Sequence, residues 1–90
     1  MRTYTVVLVR EQDGRYSVHV PAIRGCHTQG DTVAEALYMA EDAVLGMLAV
    51  MEEDGEPAPP DVSEVTLDTA EAAEVLVYKL PIREEVALAA

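Results

Sequence analysis

The chain has 90 residues, half of them hydrophobic, with 17 acidic against 6 basic side chains and a formal charge of −11. That length allows one compact domain with a real core and excludes two ordinary ones. The charge argues against binding nucleic acid through phosphates, which needs clustered Lys and Arg, and favours a basic partner or simple solubility.

With no Trp and no Phe, the core must be built from Val, Leu, Ala and Met, and four tyrosines are its only large rings. One cysteine cannot form an internal disulfide, so nothing suggests an oxidising compartment. Met1-Arg2-Thr3-Tyr4 runs directly into a strand-like pattern, and no apolar run approaches the ~20 residues that span a bilayer. The expectation is a cytoplasmic protein with no membrane association.

Tyr4 to Arg10 reads as a strand with apolar residues on both faces: Tyr4, Val6 and Leu8 on one, Thr5, Val7 and Val9 on the other. Such a strand fits a central position. Glu11-Gln12-Asp13-Gly14 is a hairpin signal, because Gly accepts positive φ without steric cost. Arg15 to Val20 follows as a second strand, with Tyr16, Val18 and Val20 opposite Ser17 and His19. Pro21 cannot donate to a ladder, so pairing should loosen there. Gly25 to Gln29 is short enough for a third antiparallel strand.

Gly30-Asp31-Thr32 then opens a helix. Thr32 with Glu35 fits a capping box, and Asp31 is an alternative cap that sequence does not separate from it. Val33, Leu37, Ala40, Val44, Met47 and Met51 form the inward stripe, widened by Ala36, Ala43 and Val50, while Glu35, Glu41, Asp42, Glu52 and Glu53 take the solvated side. Tyr38 and Leu45 are expected to project together among these carboxylates, as scattered surface residues or as a contact patch. Gly46 sits mid-helix, where it costs roughly 1 kcal/mol against Ala, and so marks a possible close approach by a neighbour.

Asp54-Gly55-Glu56-Pro57-Ala58-Pro59-Pro60 ends the helix. Val62 to Ala73 is ambiguous between strand and helical turn. Val75 to Leu80 reads as a strand stopped by Pro81, and Arg83 to Ala90 is helix-compatible but too short to be stable alone. The expected organisation is an α+β domain over residues 1–81, in the order β-β-β-α-β, with a short tail over 82–90. If the last strand lies parallel to the first, a right-handed crossover through the helix joins them. The uncovered sheet face would still carry apolar residues, which predicts self-association.

Chemistry is thin. Cys26-His27 are chain neighbours that point to opposite faces of a strand, and His19 is the only other histidine, so a three- or four-ligand metal site would need distant carboxylates. Cys26 fits better as a small packed apolar residue. The glycines form no phosphate-binding fingerprint. No catalytic residue, cofactor site or metal site is expected.

Asp13-Gly14-x-Tyr16, Val20-Pro21-Ala22-Ile23-x-Gly25-Cys26, Thr28-Gln29-Gly30-Asp31-Thr32 and Glu35-Ala36-Leu37, followed by Ala40 and Glu41, together resemble the HicB family of antitoxin-like proteins. The resemblance covers about residues 3 to 55. It implies a degenerate ribonuclease-H-like fold, with three antiparallel strands, a helix and a last strand parallel to the first, without the nuclease carboxylates. It also implies a HicA-like partner, a small basic RNA-cleaving toxin that the antitoxin covers, and a charge of −11 suits such a partner.

Many family members carry a C-terminal DNA-binding domain. Ile82 to Ala90 are too few residues for one, so direct nucleic-acid binding is not expected. The leading expectation is therefore a HicB-like antitoxin that binds a small basic toxin and forms a homo-dimer or homo-tetramer, with Tyr38, Glu41, Asp42 and Leu45 as its contact face. The alternative is a HicB-like homo-oligomer without a toxin partner.

Overall fold

A computed structural model describes residues 2–67 and 74–83. Its elements are β1 (Arg2–Arg10), β2 (Tyr16–His19), β3 (His27–Gly30), α1 (Val33–Glu53) and β4 (Glu74–Ile82). The strands form one sheet in the order β3-β2-β1-β4, with β1 central as its two apolar faces require.

The β1–β2 turn is closed by the Gly14 N–H donating to the Glu11 carbonyl (3.0 Å), with Gly14 at φ 89° as the Asp-Gly pair predicts. Regular pairing of β2 ends at His19, just before Pro21. Val20, Ile23 and Cys26 then close the β2–β3 connection through backbone bonds of 3.1 Å, with Gly25 at φ 79°. Gly25 and Cys26 belong to this connection, so β3 begins at His27 rather than at Gly25.

The Thr32 hydroxyl is the N-cap of α1 and accepts the Glu35 N–H (3.0 Å). The Glu35 carboxylate reaches back to the Asp31 N–H (3.1 Å), one residue beyond the cap. Asp31 is thereby freed to pair with Arg15. Ala36, Ala40 and Val44 are the fully buried centre of the helix stripe. They pack on Tyr4, Val6, Leu8, Val18, Val20, Ile23, Cys26 and Ile82. Leu48 joins the half-buried fringe, whereas Val50 is 54% exposed and is not part of the inward stripe.

The last strand departs from expectation in two ways. It is antiparallel to β1, from Arg2 opposite Ile82 to Arg10 opposite Glu74, and not parallel to it. The register supplies the reason. Gly30, Tyr16, Arg10 and Glu74 form one row across the sheet, so the chain leaves β3 and enters β4 at the same end. A 21-residue helix rises about 31 Å, and the stretch between Glu53 and Glu74 makes the return, so the connection is an excursion out and back.

The second departure concerns Pro81, which lies inside β4 instead of stopping it. The Val20–Cys26 bond shows that even-numbered β2 residues face β3. Alternation then turns odd-numbered β1 residues toward β2 and odd-numbered β4 residues toward the open edge. At an open edge the missing N–H of proline breaks no ladder bond. Of the ambiguous stretch, residues 62–67 form neither helix nor strand, while 68–73 and the helix-compatible tail from 84 onward lie outside the described residues.

Candidate partner-binding surfaces

Tyr38, Glu41, Asp42 and Leu45 are spaced i, i+3, i+4 and i+7 and therefore share one side of α1. Their environments differ. Tyr38 is 70% exposed and Asp42 is also exposed. Glu41 is half-buried, accepts the Arg83 backbone N–H (3.0 Å) and lies 3.6 Å from the Arg83 guanidinium. Leu45 does not project beside Tyr38: it is half-buried and packs against the core. The free surface is thus centred on Tyr38 and Asp42, with Glu41 tying the helix to the end of β4.

The end of α1 is acidic and exposed at Glu52, Glu53, Asp54 and Glu56, and its last turn contains no basic residue. Carboxylates there meet the negative pole of the helix, an arrangement that opposes stability by a few tenths of a kcal/mol each. Gly46 lies on the same outer side, with open space where a Cβ would stand, so it marks no close approach within the chain.

The sheet face away from α1 carries a second surface. Registers align Val9 with Val75 and Val7 with Val77, flanked by Ser17 and His19 from β2 and by His27 and Gln29 from β3. Of these valines Val77 is 48% exposed, Val9 and Val75 are half-buried and Val7 is buried, and α1, the helix among the described residues, packs on the opposite face. His19 and His27 sit directly across from one another with stacked rings, centroids 5.5 Å apart. Cys26 points the other way, into the core, where burial pushes its thiol pKa up and so keeps it protonated.

Where β2 turns away from β1, the segment after the helix takes over. The Thr5 N–H donates to Asp61 Oδ1 (2.8 Å), and the Thr5 hydroxyl donates to Asp61 Oδ2 (2.8 Å) while accepting Lys79 Nζ (2.6 Å). Lys79 closes the triangle on Asp61 (2.9 Å), and the Tyr4 hydroxyl donates to the Pro59 carbonyl (2.6 Å). Burial alone would raise the Asp61 pKa, but the Thr5 N–H, the Lys79 ammonium, the Thr5 hydroxyl and the Val62 N–H together hold it below the ordinary value. This cluster is structural, and neither Asp61 nor Thr5 stood out in the sequence: Thr5 lies 56 residues from Asp61 and 74 from Lys79, and no local pattern links them.

Among the described residues, no group of three or more His, Cys, Asp or Glu side chains is placed to hold a metal ion. No helix among them is long and apolar enough to cross a membrane.

Comparison with known proteins places this arrangement. The family described as "HicB_like antitoxin of bacterial toxin-antitoxin system" matches residues 4–81. A UPF0150 protein of Thermoplasma acidophilum is 39% identical over 61 residues, covering 68% of this chain and 88% of that protein. A UPF0150 protein of Synechocystis is 36% identical over 58 residues, covering 64% and 73%.

Solved structures share the fold. The N-terminal domain of the Burkholderia pseudomallei antitoxin HicB superposes with a TM-score of 0.65 at 21% identity, over 90% of this chain and 98% of that one. A toxin-antitoxin complex from Streptococcus pneumoniae contains a chain with a TM-score of 0.75 at 19% identity, over 94% of this chain and 71% of that one. With a family match that runs from β1 into β4 and a relative 39% identical over 68% of the chain, the chain belongs to the HicB-like antitoxin family.

Proposed function

We propose that this protein is a binding module, not an enzyme: an antitoxin that sequesters a small basic mRNA-cleaving toxin of the HicA type. The observation that carries the reading is the family match over residues 4–81. The charge supports it, since 6 basic residues cannot neutralise 17 acidic ones under any pairing scheme, and a surplus of one sign steers an oppositely charged partner. We assign the contact to the outer side of α1, with Tyr38 as the aromatic anchor, Asp42 and Glu41 as its acidic flank and Leu45 as the apolar floor beneath it. Exposed Val77, with half-buried Val9 and Val75 beside it on the outer sheet face, supports self-association as a dimer or tetramer.

The test is co-expression with a HicA-type ribonuclease from the same cell, read by growth, mRNA integrity and co-elution. Rescue of growth with a stable complex is expected. Persistent mRNA cleavage and separate elution would refute the antitoxin reading and leave a HicB-like homo-oligomer without a toxin partner. Tyr38→Ser tests the contact face better than any change at Leu45, whose replacement also disturbs the core. It should weaken the complex by about 2 kcal/mol if Tyr38 is an anchor, and unchanged affinity would move the contact elsewhere.

A further inference from the structure

We propose that His19 and His27 together form a chelating site for a divalent transition-metal ion on the outer face of the sheet. This goes beyond toxin binding and does not depend on it.

The argument begins with register. The Val20 N–H donates to the Cys26 carbonyl at 3.1 Å, so Val20 and Cys26 are a hydrogen-bonded pair. In an antiparallel ladder the pairs alternate, and the next pair, His19 with His27, is therefore of the non-hydrogen-bonded kind. That kind brings opposite side chains closest together, with Cα atoms about 4.5 Å apart. The rings accordingly lie 5.5 Å apart between centroids and 21° from parallel. Both side chains are exposed, so rotation about their side-chain torsions can turn one nitrogen of each ring toward a shared ion without moving the backbone.

The surroundings leave the pair available. Its row continues into Val7 and Val77, which are apolar, and the next row holds Ser17 and Gln29. On the same face, Lys79 is engaged by Asp61 and Thr5.

Two imidazoles without a carboxylate or thiolate select the later first-row ions, with Cu²⁺ tightest and Ni²⁺ and Zn²⁺ behind it, and give no hold on Mg²⁺ or Ca²⁺. Cys26 faces the core, so among the described residues two ligands serve this site, with water in the remaining positions. A pair that merely stacks would show none of this selectivity.

The experiment titrates the full chain with NiCl₂ at neutral pH while NMR follows both histidine ring signals, with the same titration repeated in excess Mg²⁺. Both rings should broaden together, at the same metal concentration, and Mg²⁺ should not compete. His19→Gln and His27→Gln should each weaken binding about a hundredfold, the lower end of what linking two ligands adds. Both positions are exposed, and circular dichroism verifies the fold of each variant. Affinity that survives either single substitution, or broadening centred on carboxylates and abolished by Mg²⁺, would overturn the proposal.

Discussion

Gly30 and Gly46 carry no side chain for different reasons, and a single methyl group tells them apart. A Cβ on Gly30 would lie 2.5 Å from the Ala36 nitrogen and 2.7 Å from the Ala36 Cα, both backbone atoms of the first helical turn. The close seating of α1 on β3 therefore depends on Gly30. Gly30→Ala should cost about 1–3 kcal/mol, the usual range for overpacking. At Gly46 a Cβ meets nothing within 4 Å, and the helix alone sets the outcome. Gly46→Ala should stabilise by about 0.5–1 kcal/mol. Urea unfolding of the two variants measures both shifts, and they should have opposite signs. The sequence suggests the reverse assignment, because a glycine inside a helix advertises a close approach and a glycine before a cap looks like a turn.

The elements themselves were legible to different degrees. Period-two and helical spacing located β1, β2 and α1, and the Thr32–Glu35 cap located the helix start. The direction of β4 was not legible, because it depends on how far the stretch after Glu53 travels before pairing, and local pattern carries no such distance. The His19–His27 pair was hidden for the same reason. His27 reads beside Cys26 along the chain, and only the register fixed by the Val20–Cys26 bond sets it opposite His19.

The return segment is held to β1 by Asp61, which yields a prediction at this scale. Thr5 is buried, and its N–H has Asp61 as acceptor in place of a β2 carbonyl. Asp61→Ala should cost about 1–3 kcal/mol for the buried donor left without a partner. The wild-type advantage has a defined pH window. The folded-state pKa of Asp61 lies below the ordinary 3.8, so its contribution is complete above that value and is lost as pH falls through the lower, folded-state one. Denaturant midpoints of wild type and variant should therefore converge in acid; a gap that stayed constant down to the lowest pH would remove the charged clamp from the account.

At the scale of the whole molecule, the charge distribution separates solubility from recognition. Charge spread for solubility alone has no reason to oppose the helix, yet Glu52 and Glu53 occupy the last turn of α1, where the helix dipole disfavours them, and Asp54 and Glu56 extend the acidic patch beyond it. Replacing Glu52 and Glu53 by Gln should raise stability by about 0.3–1 kcal/mol per site at low salt, because each change removes an unfavourable charge from the negative pole. If the patch steers a basic toxin, the same variant should associate more slowly, with a shallower salt dependence and little change in dissociation, as expected when exposed charges at an interface rim are removed. Stopped-flow association at two ionic strengths, set beside urea unfolding of the same samples, measures both. A variant that gains stability while keeping its association rate would show that the acidic helix end serves solubility and that steering arises elsewhere on the chain.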